Sequence, residues 1–412
     1  MDFKMMIIVK KYIIAILLTS FIFSTYAQLQ EEMLNYRRSS LYSMLIAHPS
    51  QKFHKDITEV FFSIPIPEKF NNHDLSVKVI SSDEKKQEKL DNINNFIIRN
   101  ALARRIMAKW FDRDPETGYF DMNLIASRGN YDATYFDVEL AKQTVRGVGQ
   151  LADAGEELIG NTFLIVNDIK YVDKSERAKL AGDIFKVLGV VATEIAKDTA
   201  FKSLGNDIGD LVSTIKGFRV TVTTYLYRLD WNDEVAGTLY QSYYMAENDF
   251  NAQKKKAFDN ENQLFKLRYI GKQSVNSGKT SIEGVNLESP EQMIRKVCTR
   301  AIDKSIVELQ KAHEEFRVKT PIFSVGATIK AKIGMKEGVT SGSKFEVLEQ
   351  TLDKDGRTQY KRVGVIKPAG KIWDNRYMAA EEKSTTAHLA YTEFKRISGS
   401  DFYPGMLIRE IR

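Results

Sequence analysis

Gly278-Lys279-Thr280, at the end of the stretch GKQSVNSGKTS (271–281), has the tail of a phosphate-binding loop. Such a loop needs Gly-x-x-x-x-Gly-Lys-Ser/Thr between a buried strand and a helix, because loop amides and the helix N-terminus together hold the phosphates. Gln273 stands where the first glycine belongs, and Gly271 lies two residues too far back. The residues after Thr280, SIEGVNLESP, do not read as a helix. The stretch therefore reads as a polar loop between a strand and a later helix.

The other chemical candidates fail on spacing too. The alternating acids of DRDPETGYFDMN, Asp112 to Asn123, suggest calcium, but an EF-hand loop wants Gly sixth and Glu twelfth, and here Thr117 and Asn123 stand there. That segment reads as a turn ending a helix, and Asp355-Gly356 in LDKDGRT as a hairpin turn. His48, His54, His73, His313 and His388 include no i, i+3 or i+4 pair of the kind zinc-binding helices present. Cys298 is the only cysteine; it lies beside an apolar helical stripe, which suits a buried, inert thiol and leaves no disulfide to form. There is no Gly-x-Ser-x-Gly elbow. The basic runs at Arg37-Arg38 and Lys254-Lys256 are short enough to be solvated surface. No cofactor and no metal site is implied. What remains is aromatic: Tyr225, Tyr227, Trp231, Tyr240, Tyr243 and Tyr244 fall on two arms of an expected hairpin. Cross-strand packing explains them first, and an exposed face would make them a contact surface for protein or glycan.

The elements that would carry these residues can be read along the chain. Lys4, Lys10 and Lys11 precede an apolar run from Tyr12 to Phe23 that ends at Thr25-Tyr26-Ala27, the pattern of a cleaved secretory signal with Gln28 as the mature N-terminus. No cysteine follows that run to carry a lipid anchor. The net charge of +6, part of it on the signal, is too small to argue for nucleic acid. Apolar residues at 43% and charged ones at 28% are those of a globular protein long enough for two or three domains. NYRRSSLYSMLIA reads as a helix, EVFFSIPIPEKF as extended, DLSVKVISS as a strand, and KLDNINNFIIRNALARRIMAKWF as one helix with Ile93, Phe96, Ile97, Ala101 and Met107 inward. A helical stretch begins near Tyr135. NTFLIVNDIKYV is a buried strand, KSERAKLAGDIFKVLGVVATEIAKDTA a long helix, and GFRVTVTTYLYRLDW a strand with Phe218, Val220, Val222 and Leu226 on one face. Trp231-Asn232-Asp233 turns into EVAGTLYQSYYM as the hairpin's second arm, NDFNAQKKKAFDNEN is helical, and FKLRYIGKQSV is a strand. Ser289, Pro290 and Gln292 begin a capped helix with the stripe Ile294, Val297, Ala301, Ile306 and Leu309. From Thr320 on, short strands and tight glycine turns mark a small β-barrel.

The C-terminal stretch GATIKAKIGMKEGVTSGSKFEVLE, with Gly338-Val339, Gly342, Phe345-Glu346-Val347, a later Gly364 and the closing PGMLIRE, resembles the SH3-like barrels that end exported envelope proteins, including the flagellar assembly protein T family. The middle order of strand, long helix, hairpin, strand and long helix is similar to modules of curli-secretion lipoproteins and of the N-terminal domain of the Tol system's propeller protein. The N-terminal segment with RSSLYSMLIAHPSQKFHKD and IPIPEKFNNHDLSVKV looks like exported proteins of Bacteroidota, bacteria that generally lack flagella. These resemblances together imply an envelope-associated interaction module.

The expectation is thus an α+β, multidomain protein with an α/β-type middle domain: signal 1–27, N-terminal α/β region 28–145, central α/β domain 146–317 and SH3-like barrel 318–412. The function expected is that of a non-enzymatic exported scaffold or adaptor, periplasmic or peripherally attached to the outer membrane. It would bind envelope protein partners or further copies of itself, with no nucleic acid and no integral membrane span in the mature chain. The alternative is a periplasmic or secreted hydrolase or glycan-binding protein whose site is scattered in sequence.

Overall fold

The computed structural model describes residues 39–81, 89–122, 158–172, 215–282, 290–352, 354, 358–378, 384–399 and 401–411. The signal segment, the helices expected after Tyr135 and over 174–200, the Ser289 cap and the Asp355-Gly356 turn lie outside these residues.

The chain is a mixed α+β protein, with two sheets among the described residues. The first takes β1 (Ser40–Ala47), β2 (Asn71–Asn72), β3 (Val79–Ser81), β4 (Thr162–Tyr171), β5 (Ile215–Leu229) and β6 (Leu267–Ile282). Its order is β2-β1-β4-β5-β6, with β3 also on β1. β1 runs parallel to β2, β3 and β4, while β4, β5 and β6 are antiparallel neighbours. The boundary expected at 145/146 therefore divides one sheet: its strands come from both regions.

The faces of β5 sort the core. Phe218, Val220, Val222 and Leu226 point, as the alternation predicts, to one side, where α6 (Pro290–Ala312) lays down Ile294, Val297, Ala301, Ile306 and Leu309. Burying each of the larger apolar side chains contributes roughly 1.5–3 kcal/mol. Tyr225, Tyr227 and Leu229 point to the other side, against α2 (Lys89–Arg99) and α3 (Leu102–Trp110). There Trp110 Nε1 donates to Thr162 Oγ1 at 2.8 Å.

Four expectations are corrected. NYRRSSLYSMLIA holds a strand, β1, not a helix: parallel neighbours and covered faces bury nearly every residue, which erases the alternation that marks a half-exposed strand. EVFFSIPIPEKF is not extended throughout, since Glu59–Ser63 complete α1 (His54–Ser63), which buries Ile57 and Phe61 one turn apart. It stops before Ile64-Pro65 because a residue preceding proline disfavours the helical region. The single helix expected over 89–111 is two, broken where Ala101 takes φ 46°. EVAGTLYQSYYM is not a strand: Asn232 caps α4 (Asp233–Thr238), accepting from the amides of Glu234 and Val235 at 3.0 Å each, and a π turn, Leu239–Tyr243, follows. Asparagine serves turns and helix N-caps alike, so the local signal fits either outcome. The helix expected in NDFNAQKKKAFDNEN is present as α5 (Ala252–Asn260).

The second sheet is a closed barrel of β7 (Thr320–Val325), β8 (Ile329–Ala331), β9 (Lys344–Leu352), β10 (Thr358–Pro368), β11 (Thr392–Ser398) and β12 (Leu407–Ile411), ordered β10-β11-β8-β7-β12-β9. Its interior, with Ile322, Phe345, Val347 and Phe394, is continuous with the core under α6. Phe316, just past α6, belongs to the same core and packs on Phe70 and Phe163 with ring centroids 5.2 and 5.0 Å away. Among the described residues no helix is long and apolar enough to cross a membrane.

Candidate functional site

Residues 271–281 lie within β6, so the segment with the phosphate-loop tail is neither a cradle nor the polar loop expected. It pairs with β5 residue by residue from Lys216↔Ser281 to Leu226↔Gly271. Gly271 has a packing reason: a Cβ there would come within 2.5 Å of the His313 ring. β6 ends the strand order, and among the described residues no strand pairs with its outer side. An outer strand leaves a row of backbone donors and acceptors unpaired. Alongside runs a groove of about 560 Å³ between Asn276–Gly278, α6 and the barrel's Met335–Thr340. Its charged lining is Arg300, Lys304, Lys311, Lys336 and Arg376 against Asp303 and Glu308. Thr299 is 1% exposed on the same wall, and its Oγ1 has no hydrogen-bond partner among the described residues.

A second site stands at the carboxyl end of the parallel strands, where open α/β sheets commonly place ligands. Ile46 of β1 is in register with Asp168 of β4, so His48, just past β1, meets that carboxylate. His48 Nε2 lies 2.6 Å from Asp168 Oδ1, and Lys89, the first residue of α2, bonds the other oxygen, Oδ2. His48 and Asp168 are buried, while the Lys89 side chain keeps 41% of its exposure. Burial alone would push the Asp168 carboxyl up, but the bonds from His48 and Lys89 and their charges outweigh it and hold it below the usual range. Burial likewise acts to lower the Lys89 ammonium, and Asp168 wins, raising it. Gln51 anchors the turn after β1 by accepting from Tyr171 N at 2.9 Å and donating to Ile169 O at 3.3 Å.

A carboxylate that orients a histidine is one half of a nucleophilic triad. Cys298 cannot complete it, because it lies on the inner side of α6, in the core on the opposite face of the sheet. Burial pushes its thiol up to about 12. An uncharged, sealed thiol is a poor nucleophile, so we expect Cys298 to resist a thiol-specific reagent in the native protein and to react fully once urea unfolds it. Labelling of the native protein at the unfolded rate would refute this burial. The remaining histidines are spread among α1, the His73–Trp110 stack, the end of α6 and the barrel. Among the described residues no three His, Cys, Asp or Glu side chains converge to hold a metal.

The aromatic residues do not line a hairpin. Tyr225 and Tyr227 on β5 are closed off from solvent, with Tyr227 donating to Asn94 Oδ1 at 2.8 Å. Trp231, Tyr240, Tyr243 and Tyr244 are half-buried and pack against the core of Phe111, Phe120 and Phe258. Burial and the bond to Glu261 push the Tyr243 hydroxyl up to about 12. All six rings thus take part in packing, two of them buried and four half-buried.

No protein-family model matches the chain, and no curated protein matches it.

Proposed function

We propose that this chain is a non-enzymatic scaffold or adaptor, exported to the cell envelope, that takes up protein partners by strand addition on the outer side of β6. The observation that carries the reading is the sixteen-residue outer strand, whose outer side no strand pairs with among the described residues, beside the groove between β6, α6 and the barrel. Strand addition draws affinity from main-chain hydrogen bonds and specificity from side-chain contacts on alternate residues. An added strand would set one row of side chains against Arg300, Lys304 and Lys336, which favours an acidic partner segment. The secretory pattern of residues 1–27 and the resemblance to envelope modules supply the compartment.

A photo-crosslinking residue at Asn276, whose side chain is exposed on β6, tests this in the native envelope. We expect a defined protein adduct at Asn276, none at the distant exposed residue Ile98, and loss of the adduct in Lys304→Glu. An adduct of twice the chain mass would make the partner a second copy. Equal adducts at both positions, or none, would refute docking at β6.

One observation favours the alternative of an exported hydrolase or glycan-binding protein: a buried, charge-paired carboxylate with a shifted pKa is the kind of group active sites contain. Under that reading His48→Ala abolishes turnover or glycan binding and leaves the Asn276 adduct intact.

A further inference from the structure

β1 is paired along its β4 side from Ser40 to Ile46, but its other side is covered in two pieces. β2 covers Ser40 and Leu41, and β3 covers Leu45 to Ala47. Leu41 O accepts from His73 N at 3.1 Å, and Leu45 N donates to Lys78 O at 2.8 Å, so these odd-numbered residues turn their backbone groups to that side. Ser40 N, of the other parity, donates to Asn161 O on the β4 side. Strand alternation therefore aims the Ser43 N–H and C=O into the interval between β2 and β3, where among the described residues nothing meets them. The intervening chain turns away through Ser76, at φ 64°.

A buried strand rarely leaves an amide and a carbonyl unpaired, since each costs free energy comparable to a lost hydrogen bond. Here the interval opens into a cavity of about 210 Å³. Its apolar walls are Phe61 and the turn Ile64–Pro67 on one side and Ile302 and Ile306 of α6 on the other, with the Asp74–Lys78 ion pair on its lining. Phe62 also lines it and is 46% exposed. The Ser43 hydroxyl oxygen accepts from Asn167 Nδ2 at 3.2 Å, so its proton is left to point elsewhere.

We infer that this interval is a binding site for a small apolar amide of about one amino-acid residue. Such a ligand places an N–H against the Ser43 carbonyl, a C=O against the Ser43 amide, and an aliphatic side chain against Phe61, Phe62 and Ile306. The chemistry follows from the walls: an adjacent donor and acceptor at strand spacing match a peptide unit, and the apolar side chains of Phe61, Phe62, Ile302 and Ile306 match an aliphatic group, while Asp74, Lys78 and Asp303 make the polar part of the lining. The volume lies below the roughly 300–1,000 Å³ usual for drug-sized ligands, which sets the size. The site is separate from β6 and does not rest on strand addition there.

N-acetyl-leucine N-methylamide is the probe. Tyr42-Ser43 is the only Tyr-Ser pair in the chain, so labelling tyrosine carbonyls with ¹³C and serine nitrogens with ¹⁵N gives a single amide signal that reports the Ser43 N–H. We expect a saturable shift of this signal with affinity of roughly millimolar order, the range that ligand efficiency allows so small a molecule. The analogue with ester oxygen in place of the leucine N–H should bind at least several-fold more weakly, because it sets an acceptor against the Ser43 carbonyl. Phe62→Ser, at a partly exposed position, should weaken binding similarly without changing the thermal transition. A shift that never saturates would mean that water alone fills the cavity. Equal affinity for the ester, or for Phe62→Ser, would place the probe elsewhere. Each of these outcomes overturns the assignment.

Discussion

Asp168→Asn is expected to destabilise the protein by about 3 kcal/mol at neutral pH, the largest effect of any single polar substitution proposed. Removing one partner of a buried ion pair typically costs about 3–5 kcal/mol, because the other charge is left uncompensated. Lys89 retains 41% of its exposure and can turn toward water, which sets the value at the low end. His48 is buried and cannot. The asparagine keeps the shape and one acceptor, so the loss reports charge and not a cavity. The pH dependence has a definite sign. A carboxyl held low in the fold contributes stability that is present above its ordinary pKa near 4 and is lost as pH falls through the lowered folded value. The Lys89 ammonium, raised in the fold, contributes below its ordinary value near 10.5 and loses that contribution as pH rises through the raised one. Urea midpoints should therefore separate wild type from Asp168→Asn most between these limits and converge in acid. Lys89→Met should cost less, about 1 kcal/mol, as expected of a half-exposed partner. A neutral Asp168→Asn, or a gap that widens in acid, would show that the cluster does not hold β1, β4 and α2 together.

That cluster could not be read from its spacing, since His48 and Asp168 are 120 residues apart. One local sign was present: Asn167-Asp168 interrupts the otherwise apolar run TFLIV…I of β4, and a polar pair inside a buried strand requires partners. Both have them, Asn167 on the α6 side with Thr224, whose Oγ1 lies 2.9 Å from Asn167 Oδ1 and from Ser305 Oγ, and Asp168 on the other. β5 and α6 were legible because each keeps one period over at least ten residues, and β4 because TFLIV is a short, continuous apolar run of the kind a fully buried strand shows. β1 was not, because burial on all sides removes the period, and α4 was not, because its cap has the composition of a turn. β6 was legible only in its first half. Beyond Val275 it is Asn-Ser-Gly-Lys-Thr-Ser, a composition that reads as loop and is held extended by Lys216 to Thr221 of β5 beside it. Tertiary pairing overrides weak local preference in this way, most readily in strands.

Gly338→Ala tests the join between α6 and the barrel, and is expected to cost about 2–5 kcal/mol. Two effects add. Gly338 has φ 80°, where a residue with a Cβ is strained by roughly 1–2 kcal/mol. A Cβ built there would stand 2.5 Å from Val307 Cγ1 on α6, and forcing extra volume into a packed contact costs typically about 1–3 kcal/mol. Val307→Ala removes the methyl that is struck, so in the double variant the steric part should vanish while the backbone part remains. That gives a favourable coupling of about 1–3 kcal/mol in a double-mutant cycle. The core under α6 and the barrel interior form one cluster, and Arg409 of β12 reaches back to Glu314, just past α6, at 2.8 Å. The loss should therefore appear as a shift of one cooperative transition followed both by tryptophan fluorescence and by far-ultraviolet dichroism. A barrel that melts by itself would instead give an early step while the sheet stayed folded, and zero coupling between the two positions would mean that α6 and the barrel do not share this contact in solution.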